Sequence, residues 1–363
     1  MTSKERIIKT VNFEKTDRTP FVFPFGPWTE TEALWHEQGL PPNAAFPYDV
    51  DADDGFNTIP YDYFTIGYCP AFEPELINDN GRTVIMRNEY GIVLEMMKES
   101  STIPNYLEYP VKTPDDWKRL KEERLQVNLE KRLQVDWSVI EKFAASHKGI
   151  TQIGIYPFGL FGTARDMLGV EDLLYWFYDE PDIVMDIMST LTDLWIALYK
   201  QLAAHVQIDC VHMWEDMSGK GGPLISPSMM YEYMVPNYKK IKQFCVDYNV
   251  PIFSLDTDGD CTEIFKPLID SGVNLIYPFE VAAGSDVAAI RKQYKNEFCM
   301  MGGIDKRALA FGEYEIDQEL ARIAPVIEMG GYIPALDHLF HPEIPYKNYI
   351  YFAKQMKKLV GKE

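Results

Sequence analysis

Five acidic side chains and one imidazole carry the clearest chemical signal in this chain. Asp256 and Asp258 lie two residues apart in the segment Pro251–Gly259, PIFSLDTDG, where an extended backbone would turn both carboxyls to one side. Close carboxylates resist double ionisation, so the pair should either keep a proton near neutral pH or share a cation. Gly259 would allow a bend after the pair, and Asp258 could then also cap the next helix. His338 follows Asp337 late in the chain and suits a proton donor or a metal ligand. Glu215 and Asp216 follow the strand-like run CVHMW, and Glu280 follows NLIYPF. Glu215 and Asp216 suit ligand binding, acid chemistry or loop anchoring alike. His341 is a weaker candidate than His338, and His212 reads as a core or supporting group. Tyr156, Phe158, Phe161, Arg165 and Trp214 add aromatic and basic groups at neighbouring positions.

These residues need a common scaffold, and the pattern after residue 205 supplies one. Apolar strand-like runs at Cys210–Trp214, Pro251–Asp256, Asn274–Phe279, Phe298–Gly303 and Tyr332–Leu336 alternate with helical stretches. Those helices are expected at Ser228–Tyr248, Cys261–Ser271, Asp286–Tyr294, Glu313–Glu328 and Tyr346–Leu359. Gly149–Tyr156 starts a similar unit that feeds a helix over Asp182–Ala204. Nearly continuous apolar strands separated by helices imply parallel strands covered on both faces. With further strands in the irregular, aromatic-rich first third, the expectation is α/β: one (β/α)8 TIM barrel spanning 1–363 as a single domain. Candidate acids at successive strand ends agree with a site at the barrel mouth. The first third should contribute a hairpin over Arg82–Met97 and helices at Ser3–Asn12, Pro114–Leu125 and Leu129–Ser146. The SGKGGP stretch lacks the order of a phosphate loop and reads as a mobile loop over the site. Met229–Met230 and Met300–Met301 read as core filler.

The 363 residues carry 35 Lys and Arg against 55 Asp and Glu, a net charge of −20 that disfavours nucleic acid or an anionic membrane as partner. No apolar run approaches the ~18 residues of a spanning helix, and the start lacks a signal-peptide core. Five scattered cysteines without a CxxC pair point to reduced, mostly buried thiols and a cytoplasmic location.

The opening KERIIKTVNFEKTDRTP, the central EDMSGKGGPLISPSMMYEYMVPNYKKI, and the closing SGVNLIYPFEVAAGSDVAAIRKQY, MGGIDKRALAFG and GGYIPALDHLFHPEIPYKNYIYF resemble the uroporphyrinogen decarboxylase superfamily over nearly the whole chain. The resemblance implies two activities. Decarboxylation of uroporphyrinogen, which bears eight carboxylates, relies on an arginine-rich N-terminal segment. Here Val22–Glu32 has no arginine, and the family's central tyrosine is replaced near Met167, so haem biosynthesis is not expected. The other implied activity is cobalamin-dependent methyl transfer. Enzymes of that branch acting on coenzyme M hold zinc through an HxCG motif and a later cysteine. Those places are taken here by Asp256-Thr257-Asp258-Gly259 and Asp337-His338, which removes the soft sulfur ligands. An oxygen-and-imidazole site suits an acid or a harder Lewis-acid metal, and zinc at Asp256, Asp258 and His338 is the metal option.

The resulting expectation is a corrinoid-dependent methyltransferase that takes a methyl group from a small, methoxylated aromatic substrate. A partner protein would carry the corrinoid, and the resemblance also implies a homodimer. Asp256, Asp258 and His338 would be catalytic. Tyr156, Phe158, Arg165, Trp214, Glu215 and Glu280 would contact substrate, Arg165 through a carboxylate. A decarboxylase or lyase of a small carboxylic acid, or a non-catalytic partner subunit, are the alternatives.

Overall fold

The computed structural model describes residues 1–48, 50–61, 64–98 and 103–363. In chain order the strands are β1 (Phe56–Thr58), an antiparallel meander of β2 (Glu75–Asp79), β3 (Thr83–Arg87), β4 (Val93–Met97) and β5 (Asn105–Glu108), then β6 (Ile150–Ile153) and β7 (Cys210–Trp214). A short hairpin, β8 (Ser218–Gly219) and β9 (Gly222–Pro223), precedes β10 (Ile252–Asp256), β11 (Leu275–Tyr277), β12 (Cys299–Ile304) and β13 (Tyr332–Leu336). The main sheet is wholly parallel, in the order β1-β6-β7-β10-β11-β12-β13. Helices lie between its strands, including Pro181–Ala203, Val235–Asp247 and Glu313–Glu328, and Tyr346–Leu359 follows the last strand.

The α/β expectation holds, and the sheet curls as in a barrel. The eight-stranded closure does not: seven strands are paired, and among the described residues no ladder joins β13 to β1. The segment near that gap contains Pro20, Pro24 and Pro27, which cannot donate ladder hydrogen bonds. It makes one parallel bridge, Pro27 to Phe340. The expected hairpin is β3–β4, but the sequence reading missed its flanking strands β2 and β5. The single helix expected over Leu129–Ser146 is two, Leu129–Arg132 and Trp137–Ser146, the second capped by Asp136, which accepts from Ser138 N. The helix expected from Ser228 is interrupted by a π turn at Met230–Met234, just before Pro236.

Strand register assigns the interior. β7 and β10 pair Cys210 with Ile252, His212 with Ser254, and Trp214 with Asp256, while Asp256 also pairs with Tyr277 of β11. Because side chains alternate, these residues share the inner face, and Val211, Met213, Phe253 and Leu255 face the helices. The inner layers change character along the strands. Ile150, Cys210, Ile252 and Leu275 form an apolar floor with Ile7 and Val11 of the N-terminal helix. Gln152, His212 and Ser254 make a polar layer above it, and Trp214, Asp256 and Tyr277 reach the strands' C-terminal ends.

Gly259 completes the turn that follows β10. Its φ is +78, and an added Cβ would lie 2.7 Å from the carbonyl oxygens of Ser218 and Gly219. The reading of Gly259 as a bend residue therefore holds. Gly259→Ala is expected to cost about 1–3 kcal/mol in denaturant unfolding. The same contact corrects the loop reading of SGKGGP: it is a β8–β9 hairpin pinned to this turn, with Asp260 N donating to Gly219 O at 3.0 Å.

Candidate active site

A cavity of about 290 Å³ opens inside the C-terminal ends of the parallel strands. Its walls are mainly aromatic and aliphatic, among them Phe23, Phe25, Tyr156, Trp214, Tyr277 and Met301, and its polar lining comes from Thr58, Gln152, His212 and Asp256. Among the described residues, no Lys or Arg belongs to the lining. Tyr156 meets Trp214 edge-on, with ring centroids 4.6 Å apart. Asp256 is 7% exposed. Burial, then the nearby charges of Asp258, Asp216 and Glu280, hold its carboxyl well above the ordinary carboxylate range. The site thus holds a buried carboxyl whose surroundings favour its protonated form, the arrangement of a general acid.

Asp258 and His338 meet beside it. His338 Nε2 lies 3.6 Å from Asp258 Oδ2, and the imidazole stacks on Phe25 at 5.6 Å and 17°. His338 Nδ1 is buried without a partner among the described residues. Of the three residues expected from sequence to work together, Asp258 and His338 pair, while Asp256, two residues before Asp258, lines the cavity. They do not fit a zinc site: among the described residues, no group of three or more His, Cys, Asp or Glu side chains is arranged to hold a metal ion. Asp256 lines the cavity while Asp258 and His338 pair outside its lining, so the donors do not converge.

Other strand-end groups are engaged in the framework. Glu215 is fully buried on the sheet's outer side, one residue beyond inward-facing Trp214. Its carboxyl accepts from the backbone N–H groups of Leu160, Phe161 and Gly162 and from the Tyr238 hydroxyl, so it caps a helix and lies outside the cavity lining. Gly159 makes this grip possible, since a Cβ there would lie 1.8 Å from Trp214 O. Arg165 Nη1 donates to Asp216 Oδ2 at 2.6 Å, and the guanidinium lies over the Trp214 ring at 5.0 Å, so its charge is already paired with a neighbouring carboxylate. Phe158 and Phe161 are core residues; Phe158 packs between Tyr61 and Trp195. Glu280 accepts from Gly259 N at 3.0 Å and lies 3.6 Å from Lys306 Nζ, bracing the turn. Asp337 accepts from the N–H groups of Val281 and Lys306, and Asp305 pairs with Arg307. Of the expected substrate contacts, Tyr156 and Trp214 line the cavity, whereas Phe158, Arg165, Glu215 and Glu280 do not.

The sequence profile described as Uroporphyrinogen decarboxylase (URO-D) matches residues 82–359, well over half of the chain. The chain belongs to the uroporphyrinogen decarboxylase family. Among solved structures, a methyltransferase from Methanosarcina mazei aligns with this URO-D family chain over 99% of each, with a TM-score of 0.66 and 15% identity, a likeness of fold. A B12-independent methionine synthase from Shewanella sp. W3-18-1, in complex with selenomethionine, aligns over 62% of this chain and 68% of its own, with a TM-score of 0.42 and 9% identity, too partial to carry an argument. No curated protein matches the sequence.

The URO-D family chain also uses residues that the sequence reading passed over. Phe23 and Phe25, within a stretch read as loops, line the cavity, and Met301, read as filler, does too. Gln152 and Tyr277 went unnoticed. Counting back by twos from Asp256 and Trp214 reaches Ser254 and His212, so strand alternation was a usable signal for the polar layer.

Proposed function

We propose that this URO-D family member is a corrinoid-dependent methyltransferase that removes the methyl group from a small methoxylated aromatic compound. The observation that carries the reading is Asp256, a buried carboxyl that lines a largely aromatic cavity where, among the described residues, no lining side chain is cationic. Cleaving an aryl methyl ether leaves the bond's electron pair on oxygen, as a phenolate whose conjugate acid has a pKa of about 10. A proton supplied to that oxygen as the bond opens lowers the barrier, and Asp256 is the donor. His338, paired with Asp258 and partly exposed, connects the buried acid with solvent and returns its proton. Trp214 and Tyr156 hold the ring. A reduced corrinoid carried by a separate protein would supply the nucleophile for the methyl group, with Trp214 and Tyr156 orienting the ring for it. The proposed assembly includes a homodimer.

The cavity's size and charge also bear on the alternatives. About 290 Å³ is at the small end for ligand sites and ill suited to a tetrapyrrole. A small carboxylic acid would approach Asp256 with no cation among the lining residues to hold it, which disfavours the decarboxylase reading. The test mixes the protein with methoxybenzene or 2-methoxyphenol and chemically reduced cobalamin. Loss of the reduced-cobalt absorbance with appearance of methylcobalamin and the free phenol is the expected result. Carbon dioxide release from small acids without cobalamin would favour the decarboxylase instead. Absence of both, with a folded protein, would favour a non-catalytic subunit.

A further inference from the structure

The polar layer below Asp256 is more elaborate than a general acid requires. His212 is 2% exposed, and its Nδ1 lies 2.9 Å from Ser254 Oγ, which in turn is 3.2 Å from Cys210 Sγ. The imidazole stacks on Tyr277 with centroids 5.3 Å apart, and the Tyr277 hydroxyl is 3.3 Å from His212 Nε2. This last distance is long for a hydrogen bond to a hydroxyl, so neither group is fully satisfied by the other. Burial pushes the His212 imidazole down to about 3 and the Tyr277 phenol well up, so both stay neutral across the physiological range. On the adjacent strand, Gln152 spends its amide hydrogens on Thr58 Oγ1 and Gly154 O. Among the described residues its Oε1 accepts no bond. Gln152, His212, Asp256 and Tyr277, from the consecutive strands β6, β7, β10 and β11, line the cavity beside Thr58, and none of them is a cation.

We infer that this side of the cavity selects an uncharged hydroxyl on the substrate, so that the preferred substrate class is methoxyphenols, with methoxybenzoates excluded. The inference rests on the methyltransferase reading and deepens it. A phenolic hydroxyl can donate to Gln152 Oε1 or to His212, and accept from Tyr277, meeting the groups whose bonds are long or unmade. A carboxylate would bury a full negative charge in a cavity whose lining, among the described residues, holds no cation, while the Arg165 charge outside it is paired with Asp216. A ligand without any polar group would fill the aromatic part but leave these atoms without water or partner. Discrimination thus runs against both extremes, and hydroxyl recognition is its source.

Binding can be measured without a corrinoid, through quenching of tryptophan fluorescence and calorimetric titration with 2-methoxyphenol, methoxybenzene and 2-methoxybenzoate. The native protein is expected to bind 2-methoxyphenol about tenfold more tightly than methoxybenzene, with 2-methoxybenzoate weaker than both. Tyr277→Phe and His212→Phe should each bring the first two ligands within about twofold of each other. Tyr277→Phe removes a single oxygen, so it serves as the check should His212→Phe fold poorly. Equal binding of all three ligands, or a phenol preference that survives Tyr277→Phe, overturns the hydroxyl assignment and leaves the methyltransferase reading intact. Failure of every ligand to bind, together with no methyl transfer from any of them, overturns both.

Discussion

Asp256→Asn should lower methyl transfer by about 10²–10⁴-fold and, at the same time, make the protein more stable. The substitution keeps the shape of the side chain and removes its acidic proton, so substrate binding should change far less than turnover. The stability gain follows from proton linkage. In the unfolded chain Asp256 titrates near pH ~3.9, whereas burial and the charges of Asp258, Asp216 and Glu280 raise its pKa in the fold. Between those two values the folded state holds a proton that the unfolded state has released. Stability therefore falls as pH rises through this window and levels off above the folded pKa. Asparagine has no such slope. Thermal unfolding from pH 4 to pH 9 should show the variant close to the native protein at the acid end and increasingly above it toward neutral and alkaline pH. The native methyl-transfer rate should fall as pH rises through the folded pKa, where the donor loses its proton. A Tm difference that is flat with pH would mean that Asp256 is ionised in the fold, and the acid role would go with it.

The parts of this molecule that could be read from sequence are those set by local periodicity. Cys210–Trp214 and Tyr332–Leu336 occur at the expected residues, and the strand over Pro251–Asp256 begins only one residue later, at Ile252, because unbroken apolar runs between helices admit few other structures. Asp256, Asp258 and His338 were legible as candidates for the same reason: Asp256 ends β10, and Asp258 and His338 follow β10 and β13, strands that register brings to the same end of the sheet. What sequence did not separate was the inner face from the outer face just past a strand's end. Trp214 and Glu215 differ by one position, yet one lines the cavity and the other is buried against a helix. The fate of Arg165 was equally hidden, since its partner Asp216 lies 51 residues away and adopts φ +42. Phe25 came from a proline-rich stretch with no periodicity, so its stacking on His338 is purely tertiary.

Glu215→Ala should show the opposite behaviour to Asp256→Asn, a large loss of stability with little change in the chemistry of the molecules that remain folded. Glu215 Oε1 accepts from Leu160 N at 2.8 Å and the Tyr238 hydroxyl at 2.6 Å, and Oε2 from Phe161 N at 2.7 Å and Gly162 N at 3.1 Å. One carboxyl thereby joins β7 to the start of the helix Leu160–Leu168 and to the helix Val235–Asp247. Truncation would leave four buried donors without an acceptor and a cavity too tightly walled for the helix to collapse into. The expected cost is about 4 kcal/mol or more, at the upper end for a single substitution. Glu215→Gln keeps the volume but turns an amide NH₂ toward some of those donors, so it should lie between the native protein and alanine. Burial also pushes the Glu215 carboxyl up to about 7, so its unfolded form ionises first and native stability should decline between about pH 4.5 and 7 from this group as well. Glu215→Gln removes that decline, which narrows its deficit relative to the native protein as pH rises through the window. Because Glu215 lies outside the cavity lining, methyl transfer per folded molecule should stay within a few-fold of native at low temperature. If Glu215→Gln instead abolishes turnover at full stability, the acid that matters is on the outer face of β7, and the cavity beside Asp256 is not where the methyl ether is cleaved.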